Sequence, residues 1–155
     1  LSIGNAWLKV AVYHFRSFES QEALRSISIS SLFLDQCPLE GGEPTKLFHA
    51  VSLMCSLFSV ASHQEMGHPV VLTQQLKEDI AESLRPIRGS ETKIGSYGAF
   101  FFEYFSDVIF ICARLLEIQP ASTASTGLYK LLLSREDGHP LFERYVAYAK
   151  EFLRL

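Results

Sequence analysis

The chain carries no surplus of positive charge. Its 14 Lys and Arg face 17 Asp and Glu, for a formal net charge of -3, so nothing neutralises a phosphate backbone and nucleic-acid binding by charge is excluded. Glycine cradles for phosphate are missing too: neither Gly-x-x-x-x-Gly-Lys-Ser/Thr nor Gly-x-Gly-x-x-Gly occurs. Gly89, Gly95 and Gly98 punctuate one polar segment, but no strand precedes it, and it reads as a connection. Cysteine occurs three times, as Cys37, Cys55 and Cys112. An odd number set far apart argues against a disulfide scaffold and for a reducing compartment. The single asparagine, Asn5, is followed by Ala6 and Trp7, so no Asn-x-Ser/Thr acceptor exists.

Long uninterrupted apolar runs are absent as well. The most apolar stretch, Ala99 to Ile118, is broken by Glu103, Asp107 and Arg114, which are costly in a bilayer. It reads as a core helix, and no membrane span is expected. No basic segment precedes a small-residue cleavage site, so no signal peptide is read. The chain starts at Leu1, which fits a fragment of a larger protein or a processed form.

What is present is enough to build a core. The 155 residues are 48% hydrophobic and 20% charged, which suits one soluble helical domain spanning 1–155 and rules against disorder. Asn5 to Phe15 is apolar nearly all round, with Lys9 and Arg16 two turns apart on one face, and is read as a helix. Ser20 is the expected N-cap of a second helix carrying Leu24, Ile27, Ser31 and Leu34 at helical spacing. Glu40 to Pro44 is a loop. From Thr45 to Ala61 the helical pattern is strong. Thr45, His49, Ser52, Ser56, Ser59 and His63 share a face made of small polar residues, which suits water or the close approach of another helix.

After Gly67-His68-Pro69 comes an amphipathic helix with Leu72, Leu76, Ile80 and Leu84 on one stripe, expected to end at Pro86. Tyr97 to Glu117 is apolar over most of its circumference, which predicts a central helix surrounded by others. On it Glu103, Asp107 and Arg114 fall within about 40° of one another. A short helix at Leu128 to Ser134 follows, and then Gly138-His139-Pro140, a second copy of the tripeptide, with the proline opening the last helix. The fold class is therefore all-α: a six- or seven-helix globular bundle around Tyr97–Glu117. The alternative is an irregular helical-repeat segment, because Phe48-x-x-Val51-x-x-x-Cys55 is echoed by Phe105-x-x-Val108-x-x-x-Cys112.

His63, Glu65 and His68 lie close together, and Glu65-Met66-Gly67-His68 matches Glu-x-x-His. A di-iron bundle needs two such motifs, and the five-residue spacing of the histidines misses the four that stacks ligands on one helical face. The expectation is a polar helix terminus with no metal and no cofactor. Cys37, the one cysteine outside an apolar helix, has no family signature around it to suggest a nucleophile. Glu103 and Asp107, one turn apart, suit a carboxylate pair for acid–base work or, more simply, an exposed strip or a buried ion network completed by Arg114. Phe100, Phe101 and Phe102 point in three directions, so at least one ring meets a neighbour or a partner.

No catalytic residue is assigned, and the chain is not expected to be an enzyme. The expected function is a non-enzymatic protein–protein interaction or scaffold module, intracellular (cytoplasmic or nuclear). A protein partner would be engaged through exposed helix faces, with Phe100, Phe101, Phe102, Glu103, Asp107 and Arg114 as the candidate interface. One alternative is an enzyme or small-ligand binder with a site in the core near Glu103, Asp107 and Arg114. The other is a secreted helical-bundle signalling protein.

Overall fold

The computed structural model describes residues 2–36, 43–88, 103–119 and 123–154. They form seven α-helices: α1 (Ser2–Arg16), α2 (Ser20–Asp35), α3 (Glu43–Glu65), α4 (Gln74–Arg88), α5 (Phe105–Leu116), α6 (Ala124–Glu136) and α7 (Glu143–Leu153). A 3₁₀ turn, Pro140–Phe142, leads into α7. No strand occurs among the described residues. The protein is an all-α bundle, and none of its described helices is long and apolar enough to cross a membrane.

The first two helices form a tight hairpin. The Glu19 N–H bonds back to the His14 carbonyl and the Phe18 N–H to the Phe15 carbonyl. This pattern is a Schellman cap, with Phe18 left-handed at φ 57°. Such a backbone costs a non-glycine residue about 1–2 kcal/mol. The Phe18 ring is held in place by stacking on Phe110 and by the Arg144 guanidinium above it. At the other end of the hairpin Ser30 donates to the Gly4 carbonyl at 2.7 Å. A Cβ at Gly4 would lie 3.4 Å from both that serine's carbonyl and Leu34, so the glycine allows the close approach.

α5 is the centre. Nine of its residues, Ser106 to Ala113 and Leu115, are buried, because α1, α3, α4, α6 and α7 all pack on it. Phe110 is its hub, touched by the rings of Phe15, Phe18, Tyr129, Tyr145 and Tyr148. Each enclosed ring of this kind contributes roughly 1.5–3 kcal/mol by burial. The contacts of Arg16 and Phe15, at the end of the first helix, with Asp107 of α5 and Tyr145 of the last close the array on itself. An open helical-repeat segment has no such first-to-last contact.

The echo between Phe48/Val51/Cys55 and Phe105/Val108/Cys112 has a structural counterpart. In both, the valine and cysteine are buried and the phenylalanine is half-buried. Each thiol meets a serine of the preceding helix at 3.4 Å, Ser30 for Cys55 and Ser83 for Cys112. Both cysteines are free.

Several boundaries differ from expectation. Ser20 is not a cap: the Schellman turn delivers the chain straight into α2, Glu19 occupies the cap position, and Ser20 is buried inside the first turn. α3 begins at Glu43 and so takes in Pro44, which the first turn of a helix tolerates. α4 runs past Pro86 to Arg88. α6 is longer than the expected Leu128–Ser134. Pro140 opens the 3₁₀ turn and α7 starts only at Glu143, leaving Leu141 exposed. The central helix is interrupted at Tyr104 (φ -115°, ψ 24°), so its continuous part starts at Phe105. Residues 97–102, the Gly89–Gly98 connection and Cys37 lie outside the described residues.

Candidate functional site

The three charges expected on one strip of the central helix have three different fates. Glu103 lies before the break at Tyr104. It is 49% exposed and pairs with Lys9 at 3.2 Å. Asp107, in the first turn of α5, has no exposed surface. Its carboxylate takes two parallel bonds from Arg16, Nε to Oδ1 at 2.9 Å and Nη2 to Oδ2 at 2.6 Å. The Tyr145 hydroxyl donates a third to Oδ1 at 2.7 Å. Arg114, in the last turn, is 15% exposed. It donates to Glu65 at 2.8 Å and to Glu117 at 3.3 Å, and lies over the Tyr148 ring. An acid at the start and a base at the end of α5 both complement the helix dipole. Phe100, Phe101 and Phe102 lie outside the described residues.

Burial pushes the Asp107 carboxyl up, while the Arg16 guanidinium and the Tyr145 hydroxyl pull it back. Arg16 itself is raised: burial opposes its charge, and the bidentate pairing with Asp107 outweighs that. The Tyr145 phenol is raised well above its ordinary value, first by burial and then by the negative charge of Asp107. At the other end Tyr129 and Tyr148 both donate to Glu117. Burial and that carboxylate raise both, and Tyr148 is pushed up to about 12, with Arg114 working in the opposite direction. Ser106 completes the set by donating to the buried Glu136 of α6 at 2.8 Å.

This arrangement holds helices in register. Both oxygens of Asp107 are occupied, and neither the cleft beside Tyr13, the groove between α2 and α3 nor the cleft beside His63 has Glu103, Asp107 or Arg114 among its walls. Sequence reasoning placed the acids but missed their partners on other helices. One signal was available: Lys9 and Arg16, two turns apart on α1, match Glu103 and Asp107, one turn apart on the central segment.

The outer surface offers something else. Ile3, Ala6, Val10 and Tyr13 form a stripe on α1 opposite the buried Leu8, Ala11 and Phe15, and all four are exposed. Ile3 is 54% and Tyr13 63% accessible. Beyond Tyr13 the stripe runs into a cleft of about 260 Å³ walled by Tyr13, Arg16, Leu141 and Arg144. A second surface groove, about 490 Å³, lies between α2 and α3. Its walls include Ser28, Ser31, Ser52, Ser56 and Ser59, so the small polar face of α3 borders open space. Set against known proteins, the chain matches no family model, no curated sequence and no solved structure.

Proposed function

We propose that this chain is a non-enzymatic interaction module that binds a partner protein through the outer face of α1. The supporting observation is that α1 is apolar on two opposite faces, and only one of them meets the core. A helix apolar all round belongs in an interior; here Ile3, Ala6, Val10 and Tyr13 stay in water. Their separations of three, four and three residues are those at which two helices interlock side chains. Ala6 in the middle leaves room for a partner backbone. The expected partner is an amphipathic helix laid along α1, its end reaching the Tyr13–Leu141 cleft, where the exposed Arg144 is the cation placed to meet an acidic residue.

Site-specific photo-crosslinking in cells tests this. A photoreactive side chain at Tyr13 is expected to yield a discrete protein adduct that Val10→Glu abolishes, while the same group at Glu78 of α4 yields none. Equal labelling from both positions, or none from Tyr13, would remove α1 as the binding face. Because Val10 and Tyr13 face outward, the variants are expected to unfold within about 0.5 kcal/mol of the parent.

A further inference from the structure

His63 and His68 are five residues apart, which no straight helix brings together. The chain brings them together by ending α3 in a Schellman cap. The His68 N–H bonds to the His63 carbonyl at 3.0 Å and the Gly67 N–H to the Gln64 carbonyl at 3.0 Å, with Gly67 left-handed at φ 80°. In this cap the side chains of the third-last helical residue and of the second residue past the end come into contact. The cap of α1 shows the same geometry in this molecule: there the two positions are His14 and Glu19, whose side chains meet at 3.5 Å. At the end of α3 both positions are histidine, and their Nδ1 atoms share a 2.9 Å hydrogen bond on exposed rings, one donating its N–H to the other, so that a metal ion would take the place of the shared proton. The second Gly-His-Pro behaves differently. Asp137 is extended, Gly138 sits at φ 86°, and His139 Nδ1 accepts from the Leu141 N–H instead of facing another histidine.

We infer that His63 and His68 form a two-histidine site for a divalent transition metal of the copper or nickel type. With imidazole nitrogens about 2.0–2.1 Å from a metal, a 2.9 Å separation subtends about 90° at the ion. That is the angle of tetragonal or octahedral coordination by nitrogen, as in copper(II) and nickel(II) sites, and it is narrower than tetrahedral zinc prefers. The ion would sit at the C-terminus of a 23-residue helix, where the helix dipole favours positive charge. Glu65 is not a third ligand, because Arg114 holds it on the other side of α3. Among the described residues no group of three or more His, Cys, Asp or Glu surrounds the position. Water therefore fills the remaining coordination sites, which open onto a cleft of about 330 Å³ walled by Val60, Pro69, Val70, Val71 and Leu76.

The test is titration of the whole chain with nickel(II) in a buffer that does not chelate, followed by calorimetry and by the histidine ring resonances. The expected result is one strongest site whose binding broadens the His63 and His68 signals first. His63→Gln and His68→Gln are each expected to weaken that site at least ten-fold, and His139→Gln to leave it unchanged. Both ligand rings are exposed, so unaltered circular dichroism separates loss of a ligand from loss of fold. Equal affinity in the parent and in the His63→Gln/His68→Gln double variant overturns the inference. So does first broadening at His139, His49 or His14.

Discussion

At its first turn α5 turns a carboxylate into a closed space where one guanidinium and one phenol meet it. At its last turn it turns a guanidinium toward two carboxylates and two phenols at the edge of the water. The first arrangement has no spare: among the described residues Asp107 is the only anion bonded to Arg16, and Asp107 itself has no exposed surface through which water could replace the guanidinium. The second is redundant: Arg114 keeps Glu117 if Glu65 is lost, and Glu117 keeps Tyr129 and Tyr148 if Arg114 is lost. Similar charged groups on one helix should therefore differ widely in what their removal costs.

Alkali disturbs both ends at once and is expected to have the largest effect. Tyr129, Tyr145 and Tyr148 all have their phenols raised in the folded chain. A group raised by folding stabilises below its unfolded value, about 10 for tyrosine, and that stability is lost as pH climbs through the folded value. Stability should thus hold to about pH 10 and fall across the interval up to about 12, where Tyr148 ionises. Tyrosinate absorbance followed together with circular dichroism reads this. The open end should yield first, with Tyr148 ionising before helicity is lost and Tyr145 only with it. Simultaneous ionisation of all three well below the loss of helicity would contradict the enclosure of Tyr145.

Asp107→Ala comes next. It strands the Arg16 charge and leaves the Tyr145 hydroxyl without its acceptor, at an expected cost of about 3–5 kcal/mol. Urea unfolding measures it. The paired replacement Arg16→Met with Asp107→Leu should recover the part of the loss that comes from the stranded charge, because two apolar side chains of similar size leave no buried charge, while the Tyr145 hydroxyl still lacks its acceptor. A double variant as unstable as Asp107→Ala alone would mean the pair stabilises the fold by itself and not merely by mutual neutralisation.

Glu65→Gln attacks the redundant end and is expected to cost about 1 kcal/mol, since Arg114 retains Glu117 and its place over Tyr148. A loss matching that of Asp107→Ala would erase the distinction between the two ends.

What could be read ahead of the structure follows from what is local. Of the stripe Leu72, Leu76, Ile80 and Leu84, the last three are buried as their spacing requires, while Leu72 lies ahead of α4 and is half-buried; the apolar circumference of the central segment does mark the innermost helix. Helical periodicity fails where the chain leaves the helix. It discounted His63 with His68 because it extends a straight axis past Gly67, where the backbone turns left-handed. It took Ser20 for a cap because it could not see that the turn at Phe18 leads directly into α2. It put Glu103, Asp107 and Arg114 on one face, which the 100° step supports for Asp107 and Arg114 within α5 but not across the break at Tyr104 that separates Glu103 from them. Their environments are set by position along the axis, through which helix of the bundle crosses at each level. Arg16, Tyr145 and Glu65 come from distant parts of the chain, and no spacing within one helix encodes their arrival.

Glu103 gives that last point its smallest and cleanest test. Its sequence position predicts the same strip as Asp107, and it has the same order of pairing, since Lys9 meets Glu103 as Arg16 meets Asp107. Its surroundings are water. An exposed pair of this kind is worth about 0.2–1 kcal/mol and is screened by salt. Glu103→Gln is therefore expected to lower the unfolding free energy by about 0.5 kcal/mol or less at low ionic strength, and by nothing measurable in molar salt. Asp107→Ala should keep its full cost in both, because no ion reaches Asp107. If the Glu103 variant cost as much as Glu65→Gln, or if salt erased the cost of Asp107→Ala, depth along the axis would not be what separates the members of this strip.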